Sequence, residues 1–181
     1  MQRFAELYKD LDQSTATSDK RAALVAYFRD APPADAAWAL HLLCGGKLRR
    51  IANAPELRGW VAELSATPGW LVDESYDQVG DLAETLALLL DDPPQPPEPL
   101  ALSAWIERRL LPLANAAPEQ RKAVIMDAWS ALPFDQRFVF NKLLTGAMRV
   151  GVSQRLVQQA LAELSGLDIA LIAQRMLGDF T

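Results

Sequence analysis

The chain has 181 residues, half of them apolar, and carries 23 acidic against 18 basic side chains for a net charge of -5. That length fits one domain or two small lobes sharing a core, and the apolar share excludes disorder as the global state. One cysteine, Cys44, and one histidine, His41, exclude an internal disulfide and a Cys/His metal cluster. Cys44 reads as a buried thiol. The opening MQRFAELYKDLDQ mixes both charges and has no apolar segment of signal-peptide type, and no run of 18 apolar residues lacks charge. The expectation is a cytoplasmic protein with no membrane span.

Apolar residues recur at spacings of three and four rather than two, which predicts an all-α fold of about ten helices. In chain order they fall at 2–11, 18–29, 33–44, 54–66, 81–90, 102–111, 118–132, 134–145, 153–164 and 168–177, with a short helical turn at 74–79. Ser18, Asn53, Ser153 and Asp168 stand where side chains cap helix starts, and Gly45, Gly146 and Gly166 where helices stop on a left-handed residue. Residues 91–99, DDPPQPPEP, carry five prolines and cannot be helical. They read as an acidic connector between two packed lobes, 1–90 and 100–181.

The charge is unevenly spread. Between Arg58 and Arg108 there is no basic residue, while Glu63, Asp73, Glu74, Asp77, Asp81, Glu84, Asp91, Asp92, Glu98 and Glu107 are acidic. Two windows reverse this: Lys47, Arg49 and Arg50 lie in a stretch free of acids, and so do Arg137, Lys142, Arg149 and Arg155. The segment KLLTGAMRVGVSQR at 142–155 combines these cations with Gly146, Gly151 and the cap Ser153. Glycines allow close backbone approach, and a helix start offers unpaired N–H groups at the positive end of its dipole, so the segment suits a phosphate backbone. LLCGGKLR at 42–49 echoes LLTGAMR at 143–149. Few side chains are of the type that reads base edges, so the expected contact is positional rather than sequence-specific.

Catalytic strings are missing: no GxxxxGK[ST], HExxH or GxSxG occurs. The cluster DESYDQVGDLAE at 73–84 reads as a solvated helix junction rather than a metal site, because no His or Lys accompanies it. Its Gly80–Asp81 turn can cap the helix that follows and present N–H groups to a phosphate. Of Trp38, Trp60, Trp70, Trp105 and Trp129, four read as packing, and Trp70, in the turn TPGWL, as exposed.

FNKLLTGAMRVGVSQRLVQQALAE at 140–163 resembles the N-terminal DNA-binding domain of ATP-dependent DNA ligases, in which a KLLTG…R.G.S…ALA pattern recurs. ESYDQVGDLAET at 74–85 is similar to that domain's acidic GD turn, and residues 1–28 to its opening helices, so the resemblance runs from Met1 to about Phe180 and looks bacterial. It implies an all-helical domain lying across the minor groove of nicked duplex DNA. Gly146, Arg149, Gly151 and Ser153 would then meet the DNA backbone with Lys142 and Arg155 nearby, and Lys47, Arg49, Arg50, Gly80 and Asp81 would add contacts. The nucleotidyltransferase and OB domains of the same polypeptide, ATP and Mg are implied for the whole enzyme. The adenylylated lysine sits in a KxDG motif that this sequence lacks, so the expectation is a monomeric DNA-binding piece inactive alone. The competing expectation is a helical protein-interaction module that binds no nucleic acid.

Overall fold

The computed structural model describes residues 1–95, 99–146 and 148–177, and every element among them is helical. The chain runs α1 (Gln2–Gln13), α2 (Thr17–Asp30), α3 (Pro33–Leu43), α4 (Ala54–Leu64), α5 (Gly69–Val79), α6 (Leu82–Leu88), α7 (Leu102–Ala104), α8 (Pro118–Ala131), α9 (Phe134–Thr145), α10 (Gln154–Ser165) and α11 (Ile169–Arg175). No single helix among the described residues is long and apolar enough to cross a membrane.

Most predicted ranges agree with these to within two residues at either end. Three do not. The short turn expected at 74–79 is the second half of α5, which starts at Gly69 after Pro68 in extended conformation (ψ 138°). Thr-Pro-Gly thus initiates a helix instead of closing a loop, as proline tolerates a helix start. Beyond α7 the chain stays helical through a wider π-wound stretch, Trp105–Leu110, and a tighter 3-10 stretch, Leu111–Asn115. Ser18 is not a cap: α2 starts one residue earlier behind Ala16, and the Ser18 hydroxyl bonds Asp19 Oδ1 at 3.1 Å.

Two compact units emerge, Met1–Gln2 with Leu48–Ala147 and Arg3–Lys47 with Met148–Thr181. The division differs from consecutive lobes meeting at the proline-rich stretch. Pro96, Pro97 and Glu98 lie outside the described residues; Asp91 and Asp92 are held within the first unit. There the buried Arg137 donates to Asp91 O at 3.1 Å and Asp92 Oδ1 at 2.9 Å, and the same carboxylate oxygen accepts from the Phe134 N–H at 2.6 Å, supplying the first turn of α9 with the acceptor its Pro133 cap lacks.

In the first unit α6 packs along α9, with α4, α5 and α8 around them. Leu86, Ile106, Trp129, Phe140 and Leu144 are fully buried. The buried Asn141 accepts from Trp129 Nε1–H at 2.7 Å and donates to Ala83 O at 3.0 Å, so α8, α9 and α6 share one satisfied polar node. In the second unit α10 lies along α2 and also meets α11 and α3. Its expected apolar stripe is the one buried, through Leu156, Val157 and Ala160, and Arg21 pairs with Glu163 at 3.2 Å across that contact.

Candidate nucleic-acid interface

The second unit carries an open groove of about 550 Å³ between the end of α3 and the segment entering α10, lined by Leu42–Gly45 and Met148–Gln154. Each wall has a local cause. Helix α3 ends in a Schellman turn: Gly45, at φ +94°, donates to Leu42 O, and Gly46 donates to His41 O at 2.8 Å. At Gly46 a Cβ would meet the His41 imidazole at 2.4 Å, so any larger residue there has to displace that ring.

On the facing wall the chain turns at Gly151, φ +64°, and starts α10 at Ser153, whose Oγ accepts from the Leu156 N–H at 3.2 Å. The N–H groups of Gln154 and Arg155 precede the first intrahelical bonds, and both residues are exposed. Tyr8 donates to Arg149 O at 3.2 Å and Lys20 Nζ donates to Gly151 O at 3.1 Å, so α1 and α2 brace the segment through its carbonyls while the Arg149 side chain stays exposed. None of the lining residues is acidic. The start of one echoing segment, Leu42–Gly45, and the end of the other, Met148–Arg149, therefore face each other across one groove; Ala147 lies outside the described residues.

Cys44 borders this groove and is half-buried, more accessible than the buried thiol expected; burial raises its pKa, which keeps it a thiol. Lys47 is exposed in the same unit. Lys20 is the site residue that sequence reasoning missed. It sits in a mixed-charge helical run, 131 positions from the carbonyl it reaches, and nothing local marks it.

The remaining candidates lie in the first unit. Gly80 ends α5 at φ +76°, and Asp81 caps α6 by accepting from the Glu84 N–H at 3.0 Å. The other Asp81 oxygen pairs with the Lys142 ammonium, which also lies 5.0 Å from the centre of the Phe138 ring. Burial pushes the Asp81 carboxyl up, but the Lys142 hydrogen bond, the Glu84 and Ala83 N–H groups and the Lys142 charge outweigh it, and the net pKa falls below the ordinary aspartate range. Only 8% of the Lys142 side chain is exposed, so this cation joins α9 to α6 instead of facing solvent. Gly146 closes α9 at φ +69°. Arg49 bonds Asn115 Oδ1 at 3.2 Å and, like Arg50, is exposed. Among the described residues no group of three or more His, Cys, Asp or Glu is placed to hold a metal ion.

Residues 1–162 match the protein family described as the DNA ligase N terminus. The chain belongs to that family. The match covers both the groove and the GD turn, and a role in DNA ligase function follows from it. No curated protein matches the chain.

Proposed function

We propose that this ligase N-terminal domain binds nicked duplex DNA through its phosphate backbone, without reading sequence, and positions the nick for nucleotidyltransferase and OB domains of the same polypeptide. The observation that carries this reading is the acid-free groove of the second unit, where the exposed Arg149, the Lys20 ammonium and the start of α10 surround a glycine turn. A phosphate oxygen there meets the N–H groups of Gln154 and Arg155, with guanidinium charge from Arg149 and Arg155. Gly151 lets the strand approach the main chain, and Lys20, anchored on Gly151 O, keeps donors to spare. Lys47 adds charge in this unit, and in the other unit, taken by itself, Arg49, Arg50 and the Gly80 turn are further backbone contacts. Lys142 and Asp81 act one step back, by fixing the turn between α5 and α6.

In this reading the domain works as a cytoplasmic monomer. ATP and Mg serve the adenylylating lysine of another domain, and no step through them falls to these residues. Anisotropy of a labelled nicked duplex tests the proposal. Binding is expected to weaken steeply between 50 and 200 mM salt, as release of counterions from about 6–10 phosphates requires. Arg149→Ala is expected to lower affinity by about fivefold and reduce the salt slope by about one, with the thermal melt unchanged. Binding that ignores both salt and Arg149→Ala overturns the assignment.

A further inference from the structure

A second groove, of about 390 Å³, lies in the first unit between α5 and α6, and its chemistry is opposite to that of the phosphate grip. Its walls are Leu71, Ser75, Val79, Thr85, Leu88 and Leu89, with Glu74 and Gln78 on the edge. Its apolar groups face water: Leu88 is 56% exposed, Leu71 39% and Val79 38%. Beside it Trp70, at 71% exposure, stands on the same stripe of α5 as Glu74 and Asp77, at helical spacings of four and seven. An exposed tryptophan and three exposed aliphatic side chains around one concavity are more than the scattered apolar residues of an ordinary surface.

The charge around this groove selects its occupant. From residue 59 to residue 107 the sequence has no Lys or Arg. Asp73 is paired with Arg58 at 2.5 Å and Asp81 with Lys142, but Glu74, Asp77 and Glu84 have no cationic partner among the described residues. Within the groove itself Glu74 is the one acidic lining residue, with Asp77 one turn along α5, and no cation lines it, so this face disfavours a nucleic acid. A second copy docked through the same face by two-fold symmetry sets Glu74 and Asp77 against their own duplicates. What fits is an apolar ridge flanked by positive charge.

We propose that the α5–α6 groove is a docking site for a basic amphipathic helix of a protein partner, whose leucine-type stripe seats on Leu71, Val79 and Leu88 and whose Lys or Arg side chains meet Glu74 and Asp77. Helix-in-groove binding needs apolar anchors at i, i+3 or i+4 and i+7, and the charged rim adds association rate and selectivity. Trp70 closes over the ridge at one end, the place an aromatic side chain contributes most.

The test uses two labelled synthetic helical peptides with the same leucine stripe, one flanked by lysines and one by glutamates, titrated into the whole chain. The lysine peptide is expected to bind at least tenfold more tightly than the glutamate peptide and to shift amide resonances of α5 and α6. Leu88→Asp and, separately, Glu74→Lys are each expected to weaken it by tenfold or more while leaving the melt and the affinity for nicked duplex unchanged. Both positions are on the surface, so a retained fold is checkable by circular dichroism. Equal binding of the two peptides, insensitivity to both substitutions, or light scattering that shows a dimer abolished by Leu88→Asp each overturns the proposal. Because nicked-duplex affinity is read in parallel, its failure is distinguishable from failure of the DNA reading.

Discussion

Lys142 and Arg149 are seven positions apart and lie in the same acid-free window, yet the structure uses them in opposite ways. Lys142 is turned inward, 8% exposed, and paired with the carboxylate that caps α6. Arg149 fixes its position through its carbonyl, which Tyr8 bonds, and leaves its guanidinium in solvent. A basic window in a sequence therefore contains two kinds of cation. Those on the helix face that meets the core hold the fold, and those on the loop beyond the helix end are left for a partner.

The contrast is broken most sharply at Arg137, an inward cation with no exposed side-chain surface. Its burial in apolar surroundings lowers its pKa, opposed by Asp92, and its Nε has no hydrogen-bond partner. Arg137→Ala opens a cavity, frees Asp91 and Asp92, and removes the fixed acceptor at the start of α9. The expected loss is about 3 kcal/mol, measured by urea unfolding. Because Asp92 is exposed, Arg137→Met recovers part of it by filling the space.

Next in size is Lys142→Met. The aliphatic stem stays packed on Phe138, while Asp81 loses its charged partner in a half-buried site. A loss of about 2 kcal/mol is expected, below the figure for a fully buried pair because the Asp81 side chain is 36% exposed. The affinity of the folded protein for nicked duplex is expected to change by less than twofold, where Arg149→Ala changes it by about five. If the two substitutions weaken DNA binding equally at full folding, the inward and outward roles are not distinct.

A smaller effect separates geometry from charge inside the groove. Gly151→Ala forces an L side chain to φ +64°, at a cost of about 1 kcal/mol, and sets its Cβ 3.1 Å from Lys20 Nζ, a flexible end that can move aside. Lys20→Ala leaves the backbone unstrained and removes the side chain whose ammonium bonds Gly151 O. Both are expected to weaken nicked-duplex binding, by about threefold each, while only Gly151→Ala lowers the melting temperature.

The fold was readable because its helices are amphipathic and punctuated: Asn53, Ser153 and Asp168 cap where their side chains can accept from free N–H groups, and glycines stop α3, α9 and α10. Two features escaped. Thr67-Pro68-Gly69 looks like a turn because the same residues that close loops also open helices, and only the continuation through Val72, buried against the unit, decides between them. The partition into units escaped because it rests on pairings between distant positions, α2 with α10 and Lys20 with Gly151, which no local pattern encodes. For the same reason the sequence named Lys142 as a contact and passed over Lys20. Charge and spacing locate a cation, but which way it faces depends on what packs beside it.

The finest distinction between the inward and outward sets is their response to pH. Asp81 has a folded pKa below its ordinary value of 3.8. Its contribution to stability is therefore complete above about pH 4, where the unfolded carboxyl is also ionised, and is lost as pH falls through the lower folded value. Between pH 7 and pH 3 the melting temperature of the chain is expected to fall more than that of Asp81→Asn, which keeps a cap for α6 but has no charge to lose. The double variant Asp81→Asn/Lys142→Met is expected to show the same shallow acid limb as Asp81→Asn alone, since the titrating partner is already gone. An acid limb unchanged by Asp81→Asn means that the Lys142 pair does not set the stability of the α5–α6 turn.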